Sequence, residues 1–331
     1  MAPSEPPPLV VFGTGALACA IGAHLARSGE RVTLVGSWAA ARDAIARRGI
    51  LVREPEGSWE ARLVGTAPLE RPPESAPVAL VLVKSHQTAA VASAVARALA
   101  PRGVAVTLQN GLGNREALQA ALGPDRVAVG VATLGARLLG PGEVRVVPGR
   151  ILLGEEDATL GVVRGLVRHL RGAGLEAEAG DARRAVWTKL AANCAINPLS
   201  ALRGVPNGAL LDDAKARGEM RAAALEVAAV AAARGLRLEG DVGTLAEQVA
   251  RDTAENRSSM LQDLERGAKT EIDALCGAVV SEGQRLGVAT PVNEALWRRV
   301  REREGRPVAE PAGSFGSGGG GAGSLVSGGE A

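Results

Sequence analysis

Between an apolar run at residues 9–13 (LVVFG) and a small-residue segment closing at Gly29 stand Gly13, Thr14, Gly15, Ala16, Leu17 and Ala18, a GxGxxA pattern. In a chain with 43 glycines the pattern alone would be weak, but a strand before it and a helix after it make it restrictive. Gly13 permits the tight turn, Gly15 lets the backbone approach a pyrophosphate, and Ala18 keeps the helix close to the sheet. The helix N-terminus attracts the phosphate charge. A second Val/Leu run at 31–36 (RVTLVG) completes strand, helix and strand as one βαβ unit.

Runs at 78–84 (VALVLVK) and 103–109 (GVAVTLQ) read as further buried parallel strands, with a crossover helix over 89–100. Between 49 and 67, two strand-like pieces flank Pro55–Ser58, which predicts a hairpin inserted into the parallel plan. After Gly180 the texture changes to Ala-, Leu- and Arg-rich segments at 182–203, 209–235, 243–266 and 270–287, all read as helical. The expected fold is α/β: a Rossmann-type dinucleotide-binding domain over 9–180, then an all-α domain over 181–308. Residues 1–8 read as a disordered arm, and 309–331 as a flexible tail whose Gly and Ser cannot repay the entropy of ordering.

Composition narrows the partners. The 331 residues, 46% apolar, suffice for two packed domains. Lys+Arg 38 against Asp+Glu 36 leaves +2, scattered along the chain, and aromatics are 2% with no Tyr, so neither a basic stripe nor stacking platforms exist for nucleic acid. Cys19, Cys194 and Cys276 form no CxxC, and His24, His86 and His169 stand at unrelated places, so no disulfide framework or metal site is expected. With no basic leader and no membrane-length apolar run, a reduced, cytoplasmic setting follows as the expectation.

NAD-preferring sites place a carboxylate at the end of the second strand. Here that strand runs out through Val35, Gly36, Ser37 and Trp38, with no acid before Asp43. Ser37 and Arg42 suit a 2′-phosphate instead, so NADP(H) is expected; the plainer reading of Arg42 is a solvated helix charge.

Polar residues cluster where two strands end, at Lys84, Ser85, His86 and Gln87 and at Gln109, Asn110, Gly111, Leu112 and Gly113. In an open α/β sheet those ends face the ligand crevice. In AVWTKLAANCAINPLSALRG, Lys189, Asn193 and Asn197 recur every four residues and share one helix face, and Pro198 should kink the helix after Asn197. Such a stripe is ordinarily a solvated face. Here its other members are amides, and Trp187 and Ile196 make the surroundings apolar, so a partly desolvated lysine would have a lowered pKa, suited to general acid work. In ENRSSMLQDLERGAKTEID, Gly267 ends one helix and Thr270 with Asp273 predicts a capping box for the next. Glu271 then sits in a first turn; the plainer reading is that it only caps.

On KSHQ at 84–87, QNGLGN at 109–114, WTKLAANCAINPLSAL at 187–202 and SSMLQDLERGAKTEID at 258–273, the chain resembles the ketopantoate reductase (2-dehydropantoate 2-reductase) family. The likeness runs from the glycine loop to VNEALWRRVRE near residue 300. It implies a helical domain of the 6-phosphogluconate dehydrogenase C-terminal type and NADPH-dependent reduction of 2-dehydropantoate to (R)-pantoate in pantothenate and coenzyme A biosynthesis. It further implies Lys189 as general acid and Glu271 as the second catalytic group, orienting the substrate hydroxyl and the lysine. Asn110, Asn193, Asn197, Ser259, Asn207 and Asn256 match positions that hold substrate or nicotinamide, and Lys84 and Gln87 match the cofactor side. Ala18 stands where many members carry glycine, and Ser37 near where many carry arginine. Alternatives are a reductase of another 2-keto acid or an opine-like substrate, and a non-catalytic NADP-binding regulator. A homodimer is left open.

Overall fold

The structure is a computed structural model that describes residues 9–306. The arm at 1–8, the tail from 309 and the last two residues of the expected helical domain lie outside the described residues.

The βαβ unit opens the chain as β1 (Leu9–Phe12), α1 (Ala16–Arg27) and β2 (Val32–Val35). β1 pairs in parallel with β2, Leu9 opposite Val32 and Phe12 opposite Val35. All four β1 side chains are buried, as a strand covered on both faces requires. α2 (Ala39–Arg48), β3 (Ile50–Glu54), β4 (Gly57–Ala61), β5 (Gly65–Ala67) and β6 (Ala76–Val81) follow, then α3 (Thr88–Ala98), β7 (Leu99–Thr107) and α4 (Asn114–Leu122). β8 (Val127–Ala132), β9 (Gly135–Gly140), β10 (Glu143–Val147), β11 (Arg150–Gly154), α5 (Leu160–Gly172) and β12 (Glu176–Gly180) complete this half.

The main sheet has the order β12-β11-β8-β7-β6-β1-β2-β5 and is parallel throughout except between β8 and β11. The expected hairpin forms, with β3 antiparallel to β4 and Glu54 opposite Gly57. It is not inserted into the main sheet, however, but joins β9 and β10 in a second sheet of order β4-β3-β10-β9. The pleat explains why: Ile50, Val52, Val144 and Val146 alternate onto one face and bury against Ile21 and Leu25 of α1. The hairpin thus covers a helix face that the main sheet does not.

The helical half comprises α6 (Ala182–Arg203), α7 (Ala214–Ala233), α8 (Val242–Asp252), α9 (Ser259–Glu265), α10 (Ala278–Leu286) and α11 (Pro291–Arg303). Asp181, Asp213 and Asp241 each cap the helix that follows, accepting backbone N–H bonds. The single helix expected over 243–266 is two. Ser258 caps α9 by accepting from Leu261 N, and the turn before it lends Ala254 O and Asn256 O to Gly208 N and Asn207 N. A distant segment claims those carbonyls, so the helix cannot run through. Pro198 lies inside α6, which continues to Arg203. The carbonyl it leaves without an i+4 donor, Cys194 O, receives the Cys276 thiol at 3.9 Å.

The expected Thr270–Asp273 capping box does not close. Thr270 Oγ1 accepts from Ile272 N, one residue short of the box, and Thr270 N donates to Glu304 Oε1 at 2.6 Å. Asp273 instead accepts from Trp297 Nε1, Arg301 and Arg306. The segment winds as one π-turn, Asp273–Gly277, before α10, with Gly277 N bonded to Ile272 O.

Candidate active site

The glycine loop links the end of β1 to α1. Gly13 has φ +135°, and a Cβ there would lie 3.0 Å from Leu82 O and 3.2 Å from the Ala18 methyl. Only glycine fits between the β6 exit and the first helical turn. A Cβ on Gly15 would meet nothing within 4 Å, and no side chain caps α1. The loop therefore presents open space in front of uncapped helix N–H groups, a cradle that fits a dinucleotide pyrophosphate. Thr14 is buried beneath Gly36 at the β2 exit, where Ser37 is exposed. Arg42 folds back so that Nη1 donates to Gly36 O at 2.5 Å, which puts the guanidinium beside Ser37 rather than out in solvent.

At the β6 exit, Gln87 Oε1 accepts from Lys84 N, shaping a short 3₁₀ turn over Ser85–Gln87. Lys84 Nζ reaches the other half of the molecule and pairs with buried Asp263 of α9 at 2.6 Å. Beyond β7, Gly111 (φ +80°) presses against the π-turn: a Cβ would lie 2.3 Å from Ala274 O, which accepts from Leu112 N.

This contact fixes Glu271, only 7% exposed. Its Oε1 accepts from Ser85 N at 2.9 Å and its Oε2 from Asn110 Nδ2 at 3.1 Å. Both strand-end motifs thus converge on one carboxylate carried by the helical half. The α6 stripe forms as expected. Lys189 Nζ donates to Ala132 O, at the end of β8, at 2.6 Å. Although the residue as a whole is half-buried, its ammonium end is enclosed. Burial lowers its pKa from 10.5 to about 8, and the Glu271 carboxylate pulls in the opposite direction. Asn193 and the buried Asn197 bond no other side chain or backbone group through their amides, among the described residues.

A narrow cleft enclosing about 10 Å³ lies between the two halves, lined by Leu108–Gly111, Gly130, Val131, Val186, Lys189, Leu190 and Asn193. A larger hollow of about 200 Å³ sits by Arg150, Arg171 and Glu176 on the far edge of the main sheet and holds none of these groups. The chemistry belongs with the smaller one.

The remaining expected residues gather at the α8–α9 break. Ser259 and Asn256 are exposed there, and Asn207 is buried with Nδ2 on Thr253 Oγ1 and Oδ1 unpartnered. No hydrogen bond joins these three to Lys189 or Glu271. Sequence reasoning missed Asp263, the Ala132 carbonyl, Thr88 and Asn114, which hold the site from behind. Asp263 lies inside a quoted motif, yet nothing local marks it as Lys84's partner.

Two family descriptions match: Ketopantoate reductase PanE/ApbA over residues 9–158, and Ketopantoate reductase PanE/ApbA C terminal over 181–304. The 2-dehydropantoate 2-reductase of Halobacterium salinarum is 35% identical over 308 residues, covering 90% of this chain and 99% of that protein. That of Archaeoglobus fulgidus is 36% identical over 294 residues, covering 88% and 96%. Among solved structures, 2-dehydropantoate 2-reductase from Geobacter metallireducens GS-15 superposes with TM-score 0.82 at 32% identity, covering 89% of this chain and 99% of that one. D-mandelate dehydrogenase with NADH and anilino(oxo)acetate gives TM-score 0.85 over 90% and 98%, but at 24% identity this is a likeness of fold.

Proposed function

The chain belongs to the ketopantoate reductase family, and from that premise we propose that it reduces 2-dehydropantoate to pantoate with NADPH. It is an oxidoreductase of the nicotinamide-dependent kind, as its 2-dehydropantoate 2-reductase relatives are named. The observation that carries the reading is the enclosed lysine, with a pKa lowered to about 8, lining a cleft with the Asn193 amide and Asn110, whose side chain holds the Glu271 carboxylate.

Bound along Gly13–Ala18, the nicotinamide dinucleotide supplies the hydride. Ser37 and Arg42 would hold its 2′-phosphate, and Gln87, Asn110 and Lys84 would border its nicotinamide end. Asn193 and Asn197 offer neutral donors to the substrate, so its carboxylate is bound without a second cation competing with Lys189. Lys189 leaves Ala132 O and gives its proton to the keto oxygen as negative charge develops there. A lysine with a pKa near 8 is charged at neutral pH yet transfers its proton more readily than an exposed one. Glu271 accepts the substrate hydroxyl and keeps the ammonium in place. Ser259, Asn256 and Asn207 complete the substrate side from the α8–α9 turn. No helix among the described residues is long and apolar enough to cross a membrane.

The test is NADPH oxidation with 2-dehydropantoate, against NADH and the unhydroxylated 2-ketoisovalerate. Rapid oxidation only with NADPH and 2-dehydropantoate is expected, by about 10²-fold or more over the analogue, because a site built to bond a hydroxyl rejects a substrate lacking it. Equal rates with both keto acids would remove 2-dehydropantoate as the substrate.

A further inference from the structure

A series of linked hydrogen bonds runs behind the site, and its buried middle members, Thr88 and Asn114, do not line the cleft. Thr107 Oγ1 donates to Gln109 Oε1 at 2.9 Å. Gln109 Nε2 donates to Thr88 Oγ1 at 2.8 Å and also to Val83 O. Thr88 Oγ1 donates to Asn114 Oδ1 at 2.8 Å, and Asn114 Nδ2 donates to Asn110 O at 3.0 Å. Asn110 Nδ2 then donates to Glu271 Oε2.

The four bonds from Thr107 to Asn110 O point the same way, and Asn110 then reaches the carboxylate through its own side-chain amide, so the link to Glu271 is one of position. Thr88 is 1% exposed and Asn114 5%, and both ends of the Asn114 amide are used. Buried amides at such places are costly unless every group is satisfied. Here the satisfaction has a geometric result: Asn114, the first residue of α4, pins the loop at 110–113 to the start of α3. That loop is the one that meets the π-turn.

We infer that Asn114, held by Thr88, is a positioning residue for the reduction: it fixes Asn110, and through Asn110 the Glu271 carboxylate, relative to Lys189. The inference rests on the reductase reading, because it assigns Glu271 and Lys189 their roles. Loss of either bond at Asn114 takes away the anchor of Asn110 while Leu112 N still holds Ala274 O, so the Asn110 bond to the carboxylate loosens and the Ser85 N donor stays.

The experiment compares wild type with Asn114→Leu, which is close in size and lacks both bonds, and Asn114→Asp, which keeps the acceptor for Thr88 but sets an oxygen against Asn110 O. Thr88→Val serves as a third variant, so that misfolding of one does not end the test. Three readouts are taken: NADPH binding, the kcat and KM for 2-dehydropantoate, and titration of the lysine ε-methylene carbons by NMR. The chain's only lysines are Lys84, Lys189, Lys215 and Lys269, which makes the Lys189 signal assignable.

The expected result is NADPH affinity within about twofold of wild type, kcat lowered by about 10–100-fold, and a Lys189 titration midpoint displaced from wild type. A variant with a lower melting temperature but wild-type kcat and an unmoved Lys189 midpoint would overturn the inference and leave the relay purely structural. If wild type itself fails to reduce 2-dehydropantoate, the substrate reading falls, while the Lys189 midpoint in the variants still decides whether Asn114 positions Glu271.

Discussion

Lysine is rare in this chain, four residues against 34 arginines, and three of the four lie at or beside the cleft. Arginine stays protonated at any working pH, so a site that must give up a proton needs the other cation. Burial makes Lys189 able to do so and makes it costly. The unfolded lysine holds its proton to about 10.5 and the folded one only to about 8, so the unfolded chain binds more protons between those values and stability rises with pH across that window. Lys189→Met should therefore be more stable than wild type at pH 7, by at most about 3 kcal/mol, less the lost bond to Ala132 O. Denaturant unfolding at pH 7 and pH 10.5 checks this; an advantage that does not shrink at the higher pH would be wrong for a desolvated ammonium. With Lys189 as the proposed acid, reduction should fall about tenfold per pH unit above 8. The stripe of Lys189, Asn193 and Asn197 was legible from four-residue spacing, and the lowered pKa from Trp187 and Ile196. What encloses the ammonium was not, because its partner is a backbone carbonyl 57 residues upstream at the end of a strand without a marked pattern.

Elements were legible where their signals are local. The glycine loop, β1, β2, α3 and α6 follow from turn residues, apolar runs and helical spacing. The failures share one cause, a long-range partner that outbids a local one. Thr270 N belongs to Glu304 and Asp273 to three groups from Trp297 onward, so the local box loses. β8 is interrupted by Gly130 and each of β9 to β12 contains a charged residue, so none gives an unbroken Val/Leu run. The contact between Gly111 and the π-turn tests this packing. Gly111→Ala adds a methyl 2.3 Å from Ala274 O, whereas Gly123→Ala, at a similar φ of +86°, adds one to open space. Both should cost about 1 kcal/mol of backbone strain, but only Gly111→Ala should also lose at least tenfold in kcat/KM. Equal activity of the two variants would mean that the π-turn contact does not hold Glu271.

At the scale of the molecule, the site is the seam between two separately cored halves. Lys84 with Asp263, Ser85 N and Asn110 with Glu271, Leu112 N with Ala274 O, and Lys189 with Ala132 O all cross it. Sequence located both sides of that seam through strand ends and helix faces, but not which group meets which, because pairing across the seam depends on how the halves dock. On the proposed reading, the helical half brings the acid and the carboxylate, and the dinucleotide-type half brings the cradle and the backbone that aims them. The most direct test of this division is Lys189→Ala, followed by NADPH binding and by single-turnover oxidation of NADPH with 2-dehydropantoate. Turnover should drop by about 10²–10⁴-fold with NADPH affinity within about twofold of wild type. Undiminished turnover, or NADPH affinity lost in proportion to rate, would contradict Lys189 as the proton donor.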